Sequence, residues 1–465
     1  MNAMVDVTVI GLGPAGMSVA SACAEAGLTV AAVDEQPAPG GQIYRAIERN
    51  VGSAAYLGED YAAGLDLVRR FRAAPLTYLP EAAVWHIEPG FCTSYTRKRE
   101  SSTIVSKAVV VATGAHERPF PVKGWTLPGV VTVGALQILL KAHRVVSPDA
   151  VLVGNGPLLL LLAVQLASAG TPPKAIVETL RPGNKVAALP LLPAALRSWR
   201  VLRKGYGMLN AIKRAGIAFY RQAHEVAIQG EDCCRSVRFV SNGQQKQIDT
   251  SLVALHHGVI PNPQVPRLLD CAHEWDSRQH CFAPKTDNNF ESSLENVFIA
   301  GDAAGIGGAA AAALRGEIVA QALIERFAGK RQLPKENARS SLRREAALRP
   351  FLDTLYAPEQ TAASIQDETV VCRCEEITAG AVRRAASRGA TGPSQVKAFL
   401  RAGMGPCQGR MCGNTITALI ADALERHPNE VGYVRIRPPL KPLTVAELAA
   451  VENTIIESRT LLTND

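Results

Sequence analysis

The chain has 465 residues, 47% of them hydrophobic and 20% charged, which allows several domains with large cores and excludes a disordered or low-complexity protein. The formal charge of +8 is modest, and its densest runs (Arg197, Arg200, Arg203 and Lys204, then Arg339, Arg343, Arg344 and Arg349) sit in no nucleic-acid-binding motif, so solvated helix faces or a subunit contact are expected. No apolar run reaches the ~18 residues of a membrane span and the start lacks a basic leader, so a soluble, cytoplasmic protein is expected.

Asp6 to Ile10 is a β-branched run suited to a strand buried on both faces. It enters Gly11-Leu12-Gly13-Pro14-Ala15-Gly16, then a helical pattern from Met17 to Ala26. A second strand, Leu28 to Val33, ends at Asp34, with Glu35 next. Strand, glycine turn, helix, strand and acid together form the context of a dinucleotide site. Gly11 allows the tight turn, Gly13 lets a pyrophosphate approach, and Gly16 lets helix and strand pack closely. The helix N-terminus offers unpaired N–H groups to the phosphates, and Asp34 is expected to accept the ribose hydroxyls. Gly40-Gly41-Gln42 adds a flexible turn. Val109 to Val111 reads as a buried strand ending at Ala112-Thr113-Gly114-Ala115. His116 and Glu117 read as surface-loop or packing residues.

A second unit follows. Asp149 to Val153 leads into Gly154-Asn155-Gly156-Pro157-Leu158-Leu159, a helix to Ser168, and a strand, Ala175 to Thr179, carrying Glu178. Leu159 replaces the third glycine and is expected to push helix and strand apart. The unit is therefore either a working nucleotide pocket, with Glu178 favouring NAD over NADP, or an inherited fold element. Cys233-Cys234 reads as two ordinary thiols, and His256 and His257 as structural. Asn296 to Ala304 is a further strand running into Gly301-Asp302, with Ala303, Ala304 and Gly305 read as a helix start.

After a polar, basic connector come Cys372 and Cys374, then Cys407 and Cys412, in a C-x-C … C-x4-C pattern. Zinc knuckles space paired cysteines by two to four residues, so C-x-C is short for them. Four thiolates instead suit a 2Fe–2S cluster, with zinc as the other metal to consider. Arg373 and Arg410 supply nearby positive charge, Gly403, Gly405, Gly409 and Gly413 expose N–H groups, and Cys412 opens a helix from Asn414 to Arg426.

The glycine turn, the Ala112 to Ala115 segment and Gly301-Asp302, in that order, resemble the two-dinucleotide-domain flavoproteins related to thioredoxin and glutathione reductases. The resemblance implies an α/β fold of two Rossmann-like domains plus a small helical cysteine-cluster domain. It implies FAD held by Gly11, Gly13, Pro14, Ala15, Gly16, Asp34, Glu35, Gly41, Gln42, Thr113, Gly114, Gly301 and Asp302, with Asp302 at the ribityl chain. A second nucleotide would meet Gly154, Gly156 and Glu178. Val259-Ile260-Pro261-Asn262 matches the family segment where the middle domain returns. The relatives' redox C-x-x-C has no counterpart before Cys372, so disulfide reduction is not expected.

The cysteine segment resembles the bacterioferritin-associated-ferredoxin-like 2Fe–2S domain, which implies Cys372, Cys374, Cys407 and Cys412 as ligands. Three stretches extend the likeness: Ala112 to Pro119, Gly124-Trp125-Thr126-Leu127-Pro128-Gly129-Val130, and Arg437-Pro438-Pro439-Leu440-Lys441-Pro442. With them the whole chain resembles the α-type subunit of heteromeric amine and amino-acid dehydrogenases, the group of opine (octopine and nopaline) oxidases, hydrogen cyanide synthase and D-hydroxyproline dehydrogenases.

In that group the C–N bond is oxidised on a D-amino-acid-oxidase-like flavoprotein β subunit. Further options are FMN at a subunit interface and a small ferredoxin-like γ subunit. The expected domains are 1–115 with 263–330 for FAD, 116–262 for the second nucleotide, 331–365 as linker, 366–430 for the cluster, and a tail, 431–465, packing back. No residue is assigned a catalytic role. The alternative reading is a self-contained NAD(P)H-dependent flavin and iron–sulfur reductase.

Overall fold

The computed structural model describes residues 4–329, 338–358 and 362–450, so parts of the expected linker and the end of the expected tail lie outside the described residues. The expected α/β class holds. Strand Val5–Ile10 lies at the centre of the first sheet, parallel to Val30–Val33 on one side and to the end of Glu100–Val111 on the other. Thr77–Leu79 continues the sheet beyond Val30–Val33, and Val297–Ile299 returns from far along the chain to pair with Val109 to Val111. The same long strand begins as the last member of an antiparallel meander with Ala82–Glu88 and Cys92–Arg97.

Val, Ile and Ala fill the central strands because both faces are covered. One covering pair is helix Pro14–Glu25 against helix Ala309–Ala328. Their close approach needs small residues: a Cβ on Gly316 would lie 2.4 Å from the Ala15 carbonyl oxygen. The helix after Gly301 starts later than the sequence implied. Gly301–Ala304 is a 3-10 turn, and the helix begins at Ala309.

The second sheet is wholly parallel, in the order Ala218–Tyr220, Ala175–Glu178, Ala150–Gly154, Leu252–His256, Val130–Thr132. Two short antiparallel strands, Ala115–Glu117 and Val259–Pro261, carry the chain out and back between the sheets. His116 and Glu117 therefore sit on a covered crossing strand, not on a surface loop.

The cysteine segment has its own core of Val371, Val382, Val396, Ile416, Leu419 and Ile420, built on helices Ala379–Ser387, Pro393–Leu400 and Gly413–Ala423. Beyond it, Tyr433, Val434, Ile436 and Leu440 join the core on one face of the first sheet, among Val33, Val84, Val109 and Val111. Among the described residues no helix is long and apolar enough to cross a membrane.

Candidate cofactor sites

The three glycines of the first turn are required for different reasons. Gly11 has φ +93°, and a Cβ there would lie 2.6 Å from the Ala112 carbonyl oxygen; one on Gly16 would lie 1.9 Å from the Gly11 carbonyl oxygen. Gly13 has φ −72° and ψ −172°, open to any residue, and its Cβ would meet only the Gly41 Cα, at 3.9 Å. The protein's own packing does not demand glycine there. A phosphate lying against the turn would, so the cradle of Gly13 and Gly41 fits a dinucleotide. Pro14 and Ala15 open the helix whose first N–H groups face that cradle.

Asp34 is occupied by the turn itself. Its Oδ2 accepts the Leu12 N–H at 2.6 Å and its Oδ1 accepts the Gln36 N–H at 2.7 Å, and burial pushes its carboxyl upward despite these bonds. Glu35 is the more exposed carboxylate, and Lys441 of the tail reaches it at 2.6 Å. Arg45 donates to Gln42 Oε1 at 2.8 Å and also to Gln36.

One residue at this site escaped the sequence reading. Lys141, from helix Val133–His143, is buried and donates to the carbonyls of Gln42 and Ile43 at 3.2 and 3.0 Å and to Gln137 Oε1 at 2.9 Å. Burial lowers its ammonium to about 7, and Arg45 adds to the effect. The second domain thus grips the Gly41-Gln42 loop through a lysine whose hydrogen-bond partners are neutral oxygens. Its sequence signal was a lone lysine four residues after Gln137 on an apolar helix.

Beyond the same edge of the sheet, Gly114 O accepts the Asn262 N–H at 3.0 Å, tying the two crossing strands. Asp302 Oδ1 accepts N–H bonds from Gly307 and Gly308 at 2.8 and 3.1 Å, and Arg315 donates to the Gly301 carbonyl at 3.0 Å. Thr113 Oγ1, Gln264 Oε1 and Gln408 Oε1 are buried there without a hydrogen-bond partner. Buried polar groups are ordinarily paired, so this concentration of orphans fits a polar ligand between the crossing strands and the cysteine loop. Burial lowers the His116 ring to about 4, with the Arg410 charge adding to it.

At the second turn, the βαβ unit is complete although Leu159 replaces glycine: Leu159 is absorbed into the core with Leu152, Leu162 and Ile176. Gly154 is demanded by the chain itself, since its Cβ would lie 1.7 Å from the His256 carbonyl oxygen. His256 Nδ1 contacts Glu117 Oε1 at 2.7 Å, and Glu117 Oε2 accepts the Gly134 N–H at 2.8 Å. The other His256 nitrogen faces Gly156. Glu178 is raised by burial, with Lys185 and Arg221 opposing. Tyr356 of the connector lies beside it, its hydroxyl pushed up to about 12 by burial and by the Glu178 charge. Connector helix Arg349–Leu355 packs on helix Pro182–Ala188, where Asn184 Nδ2 reaches the Leu355 and Ala357 carbonyls at 3.3 and 3.4 Å.

The structure brings the four C-terminal cysteines together as two pairs. Cys372 and Cys412 are buried and hydrogen-bond to each other; Cys374 and Cys407, more exposed, do the same. The Cys372 thiol is lowered to about 6 by the Cys412 contact and by backbone N–H groups, Gly403 among them at 3.5 Å, against the cost of burial. A Cβ on Gly405 would fall 2.2 Å from that of Cys374, so glycine alone lets the loop close there. Among the described residues no three His, Cys, Asp or Glu side chains converge on a point that could hold one metal ion. Two pairs of thiols rather than one tetrahedron is the donor set of a 2Fe–2S cluster, each iron taking two protein sulfurs, and it fits that group better than zinc.

The cysteine unit is fastened to both other domains. Trp125 Nε1 donates to the Val370 carbonyl at 2.6 Å, and Arg373 to the Thr126 carbonyl at 3.3 Å. Gln264 Nε2 donates to the Gln408 carbonyl at 3.4 Å. Tyr433 is buried against the cluster loop, its hydroxyl donating to the Gly409 carbonyl at 3.3 Å, with the Arg267 guanidinium 5.1 Å from its ring centre.

A family model described as pyridine nucleotide-disulphide oxidoreductase matches residues 5–316, and one described as a BFD-like [2Fe-2S] binding domain matches 370–422. The opine oxidase A subunit of Rhizobium meliloti (strain 1021) is 41% identical over 455 residues, covering 96% of this chain and 98% of that one. The HcnB subunit of hydrogen cyanide synthase from Pseudomonas aeruginosa is 31% identical over 453 residues, 94% of this chain and 96% of that one. The crystal structure of L-proline dehydrogenase from P. horikoshii superposes with a TM-score of 0.70 at 18% identity, covering 96% of this chain and 79% of the other, a likeness of fold.

Proposed function

Because the chain belongs to the family of opine oxidase A subunits, within the pyridine nucleotide-disulphide oxidoreductases, we propose that it is the electron-transfer subunit of a heteromeric amino-acid or opine dehydrogenase. In this reading the C–N bond is oxidised on a D-amino-acid-oxidase-like flavoprotein partner. FAD takes up two electrons together and returns them singly, whereas a 2Fe–2S cluster carries one at a time. The residues of this chain hold the two groups on one body. Gly13 and Gly41 leave room for the FAD phosphates, Lys141 and Arg45 fix the loop above them, and the paired cysteines hold the iron.

The observation that carries the reading is the fastening of the cysteine loop to the crossing strands, through Gln264–Gln408 and the His116–Arg410 contact, beside the orphaned polar atoms. The Glu117–His256 pair has the chemistry of a general base. It is enclosed, with side chains 11% and 3% exposed, and turned toward Gly156. Purified alone, the chain is expected to show flavin and iron–sulfur absorbance and to oxidise no amino acid. Turnover of any amino acid or opine without a partner overturns the proposal. The alternative NAD(P)H reductase rests on Gly154, Gly156 and Glu178, and the connector lying over Glu178 weighs against it. Flavin bleaching by NADH in stopped flow would favour that alternative.

A further inference from the structure

Residues 179–224 contain nine Lys and Arg and no Asp or Glu; the rest of the chain, with 41 basic and 42 acidic residues, is nearly neutral. The whole net positive charge of the molecule therefore sits on this one segment. It folds as a string of short helices, Pro182–Ala188 to Leu196–Ser198, leading into helix Trp199–Arg214. Of the sixteen residues in that last helix only Ile212 is fully buried. Met208 and Ile212 turn its inner side onto the core shared with helix Pro157–Ser168.

The outer side carries a stripe at i, i+4 and i+7: Trp199, 53% exposed, then Arg203, then Tyr206, 68% exposed. Val186, Leu189 and Leu196, at 67, 60 and 55% exposed, extend the apolar surface along the preceding helices. A large apolar surface studded with charge of one sign marks an interaction site more often than a solvated face. Trp199 and Tyr206 favour the second of the two expectations for this run, a subunit contact over a solvated helix face.

Resting on the function proposed above, we propose that this face docks an acidic surface of the partner flavoprotein. Six of the nine cations are arginines, which bind carboxylates through two parallel N–H bonds and stack on aromatic rings. Trp, Tyr and Arg are the residue types that carry binding energy at protein interfaces, where Lys is depleted. A helix lying on a lipid surface presents a purely apolar side to the membrane and keeps its cations on the other. Here the helix's apolar side faces its own protein, and the outward stripe mixes arginine with aromatics. That arrangement suits a carboxylate-bearing protein surface over anionic headgroups.

The test uses the tagged full-length chain, purified with its flavoprotein partner from the source cells and treated with a carbodiimide, which joins an amine only to a carboxylate in contact. Lys204, which pairs with Asp60 of this chain, provides an internal control link. Links from Lys185 or Lys213 to Asp or Glu of the flavoprotein are expected. Arg200→Glu/Arg203→Glu is expected to weaken association about tenfold or more, in a salt-dependent way, while flavin and iron–sulfur absorbance persist. Tyr206→Ala, which adds no charge, should weaken it as well.

If the partner co-purifies but its links arise elsewhere and the variants associate undiminished, the docking surface is wrong and the function stands. If no flavoprotein accompanies the wild-type chain, the functional reading itself falls. Binding of the wild type, but not of the charge-reversal variant, to phosphatidylglycerol-containing vesicles, with partner association unchanged, would replace the proposal with a lipid surface.

Discussion

The demand for glycine at position 13 is the sharpest handle on the flavin site. A methyl added to Gly13 meets only the Gly41 Cα, at 3.9 Å, and the backbone there is extended, so Gly13→Ala should leave the FAD-free protein as stable as the wild type. With FAD present, the same methyl intrudes where the pyrophosphate crosses the turn. Overpacking of this kind costs about 1–3 kcal/mol, which corresponds to an affinity loss of about 5- to 150-fold. Gly16→Ala should do the reverse in the FAD-free protein. Its methyl would lie 1.9 Å from the Gly11 carbonyl oxygen, so helix and turn must separate at a cost of about 1–3 kcal/mol and roughly 2–10 °C in Tm. The assay is an FAD titration followed by flavin fluorescence, paired with thermal unfolding of protein stripped of flavin. Wild-type FAD affinity in Gly13→Ala would refute the reasoning, as would an equal loss of Tm in both stripped variants.

Cys374→Ser is expected to abolish iron–sulfur absorbance while FAD stays bound, because the cysteine unit has its own core; loss of both chromophores together would show one cooperative unit. Lys141 offers a pH signature. Its folded value of about 7 lies below its ordinary 10.5, so between those pH values the unfolded chain holds a proton that the folded chain does not, and stability rises with pH. From pH 7 to pH 9 the wild type should therefore gain on Lys141→Met by up to about 1.4 kcal/mol per pH unit. Urea unfolding at the two pH values reads this, and parallel behaviour of the two proteins would exclude it. Trp125→Phe keeps the buried ring and deletes the bond to the Val370 carbonyl, a loss of about 1 kcal/mol. Limited proteolysis should then cut the connector several-fold faster, and an unchanged rate would show that this bond does not hold the cluster unit in place.

The parallel cores of both sheets were legible in the sequence because their signals are local. β-branched runs, glycine turns and the following helices lie within about thirty residues of one another, and each part constrains the next. The cysteine pattern was legible for a related reason, its donors being few and chemically distinct. What stayed hidden depends on partners distant in sequence. Nothing near Lys141 says that it reaches the Gly41-Gln42 loop, and nothing near Trp125 announces Val370. The crossing strand Ala115–Glu117 has only three residues, too few to carry a period, so local pattern could not choose between a surface loop and a packing role for His116 and Glu117. Asp34, expected at the ribose, also braces its own turn by accepting the Leu12 and Gln36 amides, a second use of the carboxylate that position alone does not reveal. The helix after Asp302 begins late because that carboxylate gathers the Gly307 and Gly308 N–H groups into a turn, which local composition does not reveal.

In the proposed relay, the same long-range contacts hold the two carrier sites together without a moving domain. From Ala112, at the end of the central strand, to His116, beside Arg410 of the cysteine loop, the chain advances four residues, a span of at most about 14 Å even when fully extended. The cysteine loop is therefore anchored one side-chain contact beyond that span from the first sheet. It cannot swing away without breaking the Gln264–Gln408 and Tyr433–Gly409 bonds and pulling Tyr433 out of a buried site. A mobile carrier would need a hinge with few contacts, and the path between the two sites runs through buried side chains. The connector reinforces this rigidity by packing on helix Pro182–Ala188, and the second domain clamps the cysteine unit through Trp125 and Thr126 and the Gly41-Gln42 loop through Lys141.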